Sequence, residues 1–275
     1  MTLYGHSNYL IEVKFGDGCF IVTKKAQDIR DFKRLCAQIH KQKNFHYFVK
    51  NHKNLKYFFE IPEVLDMELE QNSAVMKFCN GKSILDIIEQ EDIFILDTIL
   101  DEIFLFLQWE LDNSPSHLVS SEDWLNKIKE LENKIKDKRI TPILQELKKD
   151  YKKKIPIGIC HGDLTLNNML FSNKIILLDF LDSFIETPLI DITKLMQEFN
   201  LKWSLLISNE GRDNSKIEIG YNYLKRKFDK KLQEFIKINS INLDTLDMFY
   251  KMTLIRILPY SKSDKISNAI YVGLK

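Results

Sequence analysis

The stretch ICHGDLTLNNMLFSNKIILLDFLDSF, Ile159 to Phe184, decides the reading of this chain. It sets two aspartates, a histidine and an asparagine among strand-like residues, and its apolar runs end on acids. NMLF and KIILLDF are short apolar runs joined by a Ser-Asn-Lys turn, a β-hairpin pattern, and IPIGIC before them reads as a further strand. Asp163 lies in the loop after that strand, Asn168 follows five residues later, and Asp179 ends the hairpin eleven residues beyond Asn168. A hairpin of this length returns Asp179 toward the start of the loop. Carboxylate, amide and carboxylate oxygens can then converge, and such donors suit a hard cation such as magnesium.

Alone, each residue has a plainer reading. An aspartate in a loop is ordinarily a solvated turn residue, and a histidine such as His161 is ordinarily a hydrogen-bonder in the core. A Cys160-His161 thiol pair is disfavoured because neighbours in a strand face opposite sides. The combination is more specific. HGDLTLNN resembles the H-x-D-x-x-x-x-N catalytic loop of protein-kinase-like enzymes, and its HGD form is typical of the aminoglycoside phosphotransferase and choline kinase branch. The resemblance implies Asp163 as catalytic base, Asn168 as a magnesium ligand, Asp179 as the aspartate of the kinase D-F-G triplet, and His161 as the residue that holds the loop. TPLID matches another signature of the branch, with Asp191 in a structural role; read locally, Asp191 caps the following helix.

Upstream, NYLIEVKF, the turn Gly16-Asp17-Gly18 and CFIVTKK form a hairpin pattern. Ile29, Phe32, Leu35, Cys36 and Ile39 recur at helical spacing between Asp28 and Lys43, and YFFEIPEVL and SAVMKFCNG return to strand character. By the resemblance, Gly5-His6-Ser7-Asn8 is the loop over the phosphates, with the Ser7 hydroxyl as a donor. Lys24 is the phosphate lysine of the third strand, on one face with Val22, which lines adenine. Lys25 is the alternative. Met76, Lys77, Phe78 and Cys79 correspond to the strand between lobes whose backbone hydrogen-bonds adenine. Kinases anchor the lysine with a glutamate on the next helix, but Phe32 to Phe59 holds no acid, so Asp31 is the candidate partner. That departure leaves open a degenerate nucleotide-binding module.

Beyond Gly81 the pattern turns helical, at Leu96 to Leu111, after Ser121, after Thr141-Pro142, and from Leu201 on. The fold expected from the resemblance is α+β: a bilobal protein-kinase-like fold with a nucleotide-binding lobe over 1–80, a small antiparallel sheet plus one helix, and a mostly helical catalytic and acceptor-binding lobe over 81–275. The two lobes would share a cleft. The implied activity is transfer of phosphate from ATP or GTP, with Mg2+, to a hydroxyl.

The distance from Asp179 to Asp191 leaves little room for a peptide-binding segment, which favours a small-molecule acceptor. From Met196 to Lys275 there are fourteen Lys plus Arg against nine Asp plus Glu, an unfavourable field for aminoglycosides. Trp203, Tyr221, Tyr223, Phe249 and Tyr250 could cage a choline or ethanolamine ammonium, but their spacing also reads as core. A sugar or polyol is the acceptor expected first.

Forty basic residues against thirty-nine acidic ones, a net charge of +1, argue against nucleic acid or an anionic membrane as partner; the lysine runs near 150 and 228 read as solvated helix faces. The four cysteines show no C-x-x-C pair and read as buried thiols in a reducing compartment. The first residues lack the pattern of a signal peptide. IFILDTILDEIFLFLQWEL carries Asp97, Asp101 and Glu102, too many charges for a membrane span. A cytoplasmic protein is expected.

Overall fold

The structure, a computed structural model, describes residues 2–4, 9–16, 18–149, 152–208, 214–261 and 263–274. Ser7 and its neighbours Gly5, His6 and Asn8, expected over the phosphates, lie outside the described residues, as does Asp17.

In chain order the strands are β1 (Thr2–Tyr4), β2 (Leu10–Gly16), β3 (Cys19–Lys25), β4 (Phe59–Glu60), β5 (Val64–Glu68), β6 (Ser73–Lys77), β7 (Ser116–Leu118), β8 (Lys154–Pro156), β9 (Met169–Phe171) and β10 (Ile175–Leu177). The helices are α1 (Ile29–Asn51), α2 (Leu55–Phe58), α3 (Ile84–Gln90), α4 (Ile95–Asp112), α5 (Ser121–Lys134), α6 (Thr141–Lys149), α7 (Pro188–Leu201), α8 (Trp203–Ile207), α9 (Asn214–Ile238), α10 (Leu243–Ile255) and α11 (Asp264–Gly273). Two compact units share them. One comprises Met1–Ser83 with Asn168–Asp182, the other Ile84–Asn167 with Ser183–Lys275.

The first unit carries an antiparallel sheet of order β1-β2-β3-β6-β5. Alternation turns one face of it onto α1, where Tyr9, Ala26, Leu35, Ile39, Ala74 and Met76 form the core, joined by Val22 and Phe32. Each such side chain taken out of water contributes roughly 1.5–3 kcal/mol, apart from the smaller alanines. Asp28 caps α1 by accepting from the N–H groups of Arg30 and Asp31, both at 2.8 Å. The helix runs to Asn51, past the expected end at Lys43, because Phe45 and Val49 extend its buried stripe. YFFEIPEVL is not one strand: Tyr57 and Phe58 belong to α2, and only the short β4 follows before β5. A second sheet, β4-β10-β9, pairs β10 antiparallel with β9 and parallel with β4.

The second unit is helical around Trp124, Phe106, Phe199, Tyr221, Phe228 and Phe249, all fully buried. Phe199 and Phe228 stack at 4.3 Å between ring centroids. Of IPIGIC, only Ile155 and Pro156 lie in a strand, β8, paired with β7. The chain then leaves the ladder because Gly158 N–H goes to the Glu186 carbonyl and Ile159 N–H to Ser114 Oγ, both at 2.9 Å. Among the described residues no helix is long and apolar enough to cross a membrane.

The cysteines correct the expectation of buried thiols. All four are free, but Cys19 is exposed, Cys36 and Cys79 are partly exposed, and only Cys160 is buried. Burial, then the Glu60 carboxylate, pushes the Cys79 thiol up to about 12.

Candidate active site

The boundary between the units falls inside the opening motif. Asp163 belongs to the second unit, Asn168 and Asp179 to the first.

In the first unit, strand alternation separates the two lysines: Lys24 is 8 % exposed, whereas Lys25 lies on the exposed side. Lys24 Nζ donates to Asp179 Oδ1 at 2.8 Å and lies 4.7 Å from the centroid of the Tyr9 ring. Among the described residues Lys24 forms no ion pair with Asp31, the partner expected from sequence. Asp31 sits in the first turn of α1, where its N–H serves the Asp28 cap and its carbonyl accepts from Tyr9 Oη at 3.3 Å. The hairpin brings Asp179 to the lysine instead. The Asp179 side chain is 54 % exposed, so this pair adds little stability and matters chiefly for geometry.

The hairpin register accounts for the rest. Leu177 pairs with Met169, and Leu178 N–H extends the ladder to the Asn168 carbonyl at 2.9 Å. Asn168 is thereby held opposite the residue next to Asp179. Asp179 itself takes a left-handed φ of 55°, a conformation that aspartate tolerates better than most side chains. An amide oxygen and a carboxylate oxygen on neighbouring ladder positions fit a hard divalent cation that also takes phosphate and water oxygens. On β6, Met76 pairs with Val22 beside the core. Lys77 N–H donates to the Glu63 carbonyl at 2.8 Å and Phe78 N–H to the Phe20 carbonyl at 3.1 Å.

In the second unit the loop Gly158–Asn167 has little regular structure, and buried carboxylates organise it. His161 N–H donates to Asp191 Oδ2, and to Glu110 Oε1 at 3.1 Å; Gly162 N–H donates to Asp191 Oδ1 at 2.8 Å. Gly162 has φ 90°, left-handed space closed to most side chains, which explains the glycine of HGD. His161 is fully buried, and its Nδ1 accepts from Asp163 N–H at 3.3 Å. Leu166 N–H donates to Glu198 Oε2 at 3.1 Å. Glu198 also takes the N–H and hydroxyl of Ser204 and the Tyr221 hydroxyl. Burial raises the Glu198 carboxyl above its ordinary value, against these hydrogen bonds. The same burial, together with the negative Glu198, lifts the Tyr221 phenol well above its own.

Asp191 is therefore not the helix cap that its position suggests. Thr187 caps α7, with Oγ1 accepting from Leu189 N–H at 3.3 Å, and Asp191, one turn inside, spends both oxygens on the loop.

Four further residues have no counterpart in the sequence reading. Glu110 lies in the apolar stretch whose charges were read at Asp97, Asp101 and Glu102 alone, and a further charge inside that run was the available signal. Glu198 stands seven residues beyond Asp191, two turns along the same helix. Lys194 Nζ pairs with Asp163 Oδ1 at 2.8 Å, its side chain 12 % exposed. Arg256 lies over the Phe184 ring at 5.1 Å. Neither cation carries a motif.

Comparison with known families matches residues 4–215 to the model of the Phosphotransferase enzyme family. The chain belongs to that family. No curated protein sequence matches it. Among solved structures, it is similar over its whole length to a thermostable mutant of aminoglycoside phosphotransferase APH(4)-Ia, at TM-score 0.61 and 14% identity, covering 89% of that chain. It is likewise similar over its whole length to choline kinase LicA from Streptococcus pneumoniae, at 0.56 and 12%, covering 92%. A third is amicoumacin kinase hAmiN, in complex with AMP-PNP, Ca2+ and Ami, at 0.56 and 14%, covering 86%. At such identities these likenesses establish the kinase-like α+β fold and nothing about substrate.

Proposed function

We propose that this phosphotransferase moves the γ-phosphoryl group of ATP or GTP to a hydroxyl of a sugar or polyol. The observation that carries this reading is the loop of the second unit, where buried carboxylates of Glu110, Asp191 and Glu198 hold backbone N–H groups on either side of Asp163. A base held this way meets the main demand of phosphoryl transfer, which is positioning. Asp163 accepts the acceptor hydroxyl proton as the hydroxyl oxygen bonds to the γ-phosphorus and the bond to the bridging oxygen breaks, releasing nucleoside diphosphate.

Lys24 holds the α- and β-phosphates and Asn168 and Asp179 bind Mg2+, which when bound neutralises phosphate charge. Lys77 and Phe78 have already donated their N–H groups within the first unit, so adenine recognition along this strand starts at Cys79. Val22 and Met76 supply apolar lining. The boundary of the nucleotide-binding part is taken at residue 80, with the hairpin after Asn168 serving it as well.

Among the candidates for a cationic cage, Tyr221, Phe249 and Tyr250 are buried in the core, and the Tyr223 hydroxyl is taken by Asp97. This supports a sugar or polyol ahead of a choline-like acceptor, and an aminoglycoside after both. The free cysteines support a reducing, cytoplasmic setting. Asp163→Asn should lower turnover roughly 10²- to 10⁴-fold with nucleotide affinity retained. Turnover equal to that of the native protein, measured by nucleoside diphosphate release, removes Asp163 from the role of base.

A further inference from the structure

The second unit holds a partly buried cation that forms no ion pair among the described residues. Arg256, at the end of α10, rests on Phe184, a ring fixed by Phe249 in a stack at 6.5 Å and by Trp124 at 5.7 Å. Its Nη1 is buried without a hydrogen bond, and among the described residues Arg256 forms no ion pair. Burial draws the guanidinium below its usual pKa, opposed first by the negative charge of Asp163, then by Cys160, Glu130 and Tyr260.

Each of those neighbours is otherwise engaged. Asp163 pairs with Lys194 at 2.8 Å. Cys160 Sγ donates to Glu186 Oε2 at 3.1 Å. Glu130 binds Lys127 and Lys134, both at 2.7 Å, and Lys134 Nζ also reaches the Tyr260 hydroxyl at 3.3 Å. A partly buried guanidinium without a counter-ion is an unfavourable arrangement that an anion relieves. The planar fork of arginine matches a carboxylate or a phosphate in particular. With Lys194 paired to Asp163, the carboxylate that acts most strongly on Arg256 is already engaged by another cation.

We infer that the acceptor is an anionic polyol, bearing a carboxylate or a phosphate that Arg256 binds while Asp163 receives the hydroxyl proton. This rests on the phosphotransfer reading above and narrows its substrate class. It places ammonium-bearing acceptors last, since Arg256 and Lys194 would repel them.

The test uses the full chain with ATP and Mg2+ and four matched probes: gluconate, glucitol 6-phosphate, neutral glucitol, and glucosamine. The carboxylate and phosphate arms tell which anion is taken. At least one anionic probe should exceed glucitol in kcat/KM by about 10-fold or more, the scale of a charge-assisted hydrogen bond. Arg256→Met should raise the KM for that probe about 10- to 100-fold with the KM for ATP unchanged, and Arg256→Lys should recover part of the loss. Preference for glucitol or glucosamine overturns the inference. So does an Arg256→Met effect on the KM for ATP alone, which would assign the guanidinium to the nucleotide.

Calorimetric titration of the same probes reads binding without turnover. Anion binding that Arg256→Met abolishes in a protein that turns over nothing upholds the anion site and fails the kinase reading. Turnover of glucitol with no anion binding does the reverse. Circular dichroism of both Arg256 variants checks that they fold, and if the Met variant does not, the Lys variant alone carries the comparison through its smaller shift in KM.

Discussion

The two units hold their candidate residues by different physics. In the first, strand register does the work: alternation along β3 buries Lys24, and the β9-β10 ladder holds Asn168 opposite the neighbour of Asp179. The ion pair that results is half open to solvent on its acidic side. In the second, Glu110, Asp191 and Glu198, three buried carboxylates, take N–H groups of an irregular loop on either side of Asp163. A ladder supplies partners to its own backbone, whereas a loop taken out of water must borrow them from side chains. Damage to the first unit should therefore appear as lost ligand affinity, and damage to the second as lost stability.

Asp191→Ala tests the stronger half of that contrast. It strands the buried Gly162 N–H and leaves the His161 N–H with Glu110 alone, so chemical denaturation should show a loss of about 1–3 kcal/mol. A native-like denaturation midpoint would mean that the loop is held by other means. Lys24→Met probes the opposite half. Nucleotide affinity, read by calorimetry, should fall about 10- to 100-fold, while stability shifts by less than about 1 kcal/mol, as for a pair open to solvent on its acidic side. Equal losses in both readouts would erase the distinction between the units.

Glu198→Gln gives the smallest effect, one that depends on pH. Because burial raises the Glu198 carboxyl above 4.5, the folded protein holds this proton more tightly than the unfolded chain does. The stability linked to it is complete below the unfolded value and is lost as pH rises through the higher folded value. The stability of the native protein relative to Glu198→Gln should be most favourable near pH 4 and decline toward neutrality. A difference that stays flat with pH would mean that the Glu198 carboxyl titrates alike in the folded and unfolded protein.

Much of the first unit was legible because strands and their turns are local patterns. The β2-β3 pairing, the face that Lys24 shares with Val22, and the hairpin ending near Asp179 follow from alternation and spacing. The errors share a cause. Asp191 looked like a cap because aspartate favours helix starts, but Thr187 held that place and left Asp191 for the loop. The cysteines looked buried because their neighbours are apolar, yet Cys19 sits on a strand face that the sheet leaves exposed. Asp31 was chosen because the helix after Lys24 offers no glutamate, only Asp28 and Asp31, whereas the fold brings Asp179 to that lysine.

Within the chain itself, residue order settled the periodicities, the turn positions and the unusual run from His161 to Asp179 that marks a phosphotransferase. Folding settled the pairings: Lys24 with Asp179 at a separation of 155 residues, the His161 N–H with Glu110 at 51 and with Asp191 at 30, and Lys194 with Asp163. Local sequence fixes which way a side chain faces through helix and strand geometry. It carries no record of which distant charge will meet it, because that choice follows from which buried group would otherwise be left without a partner.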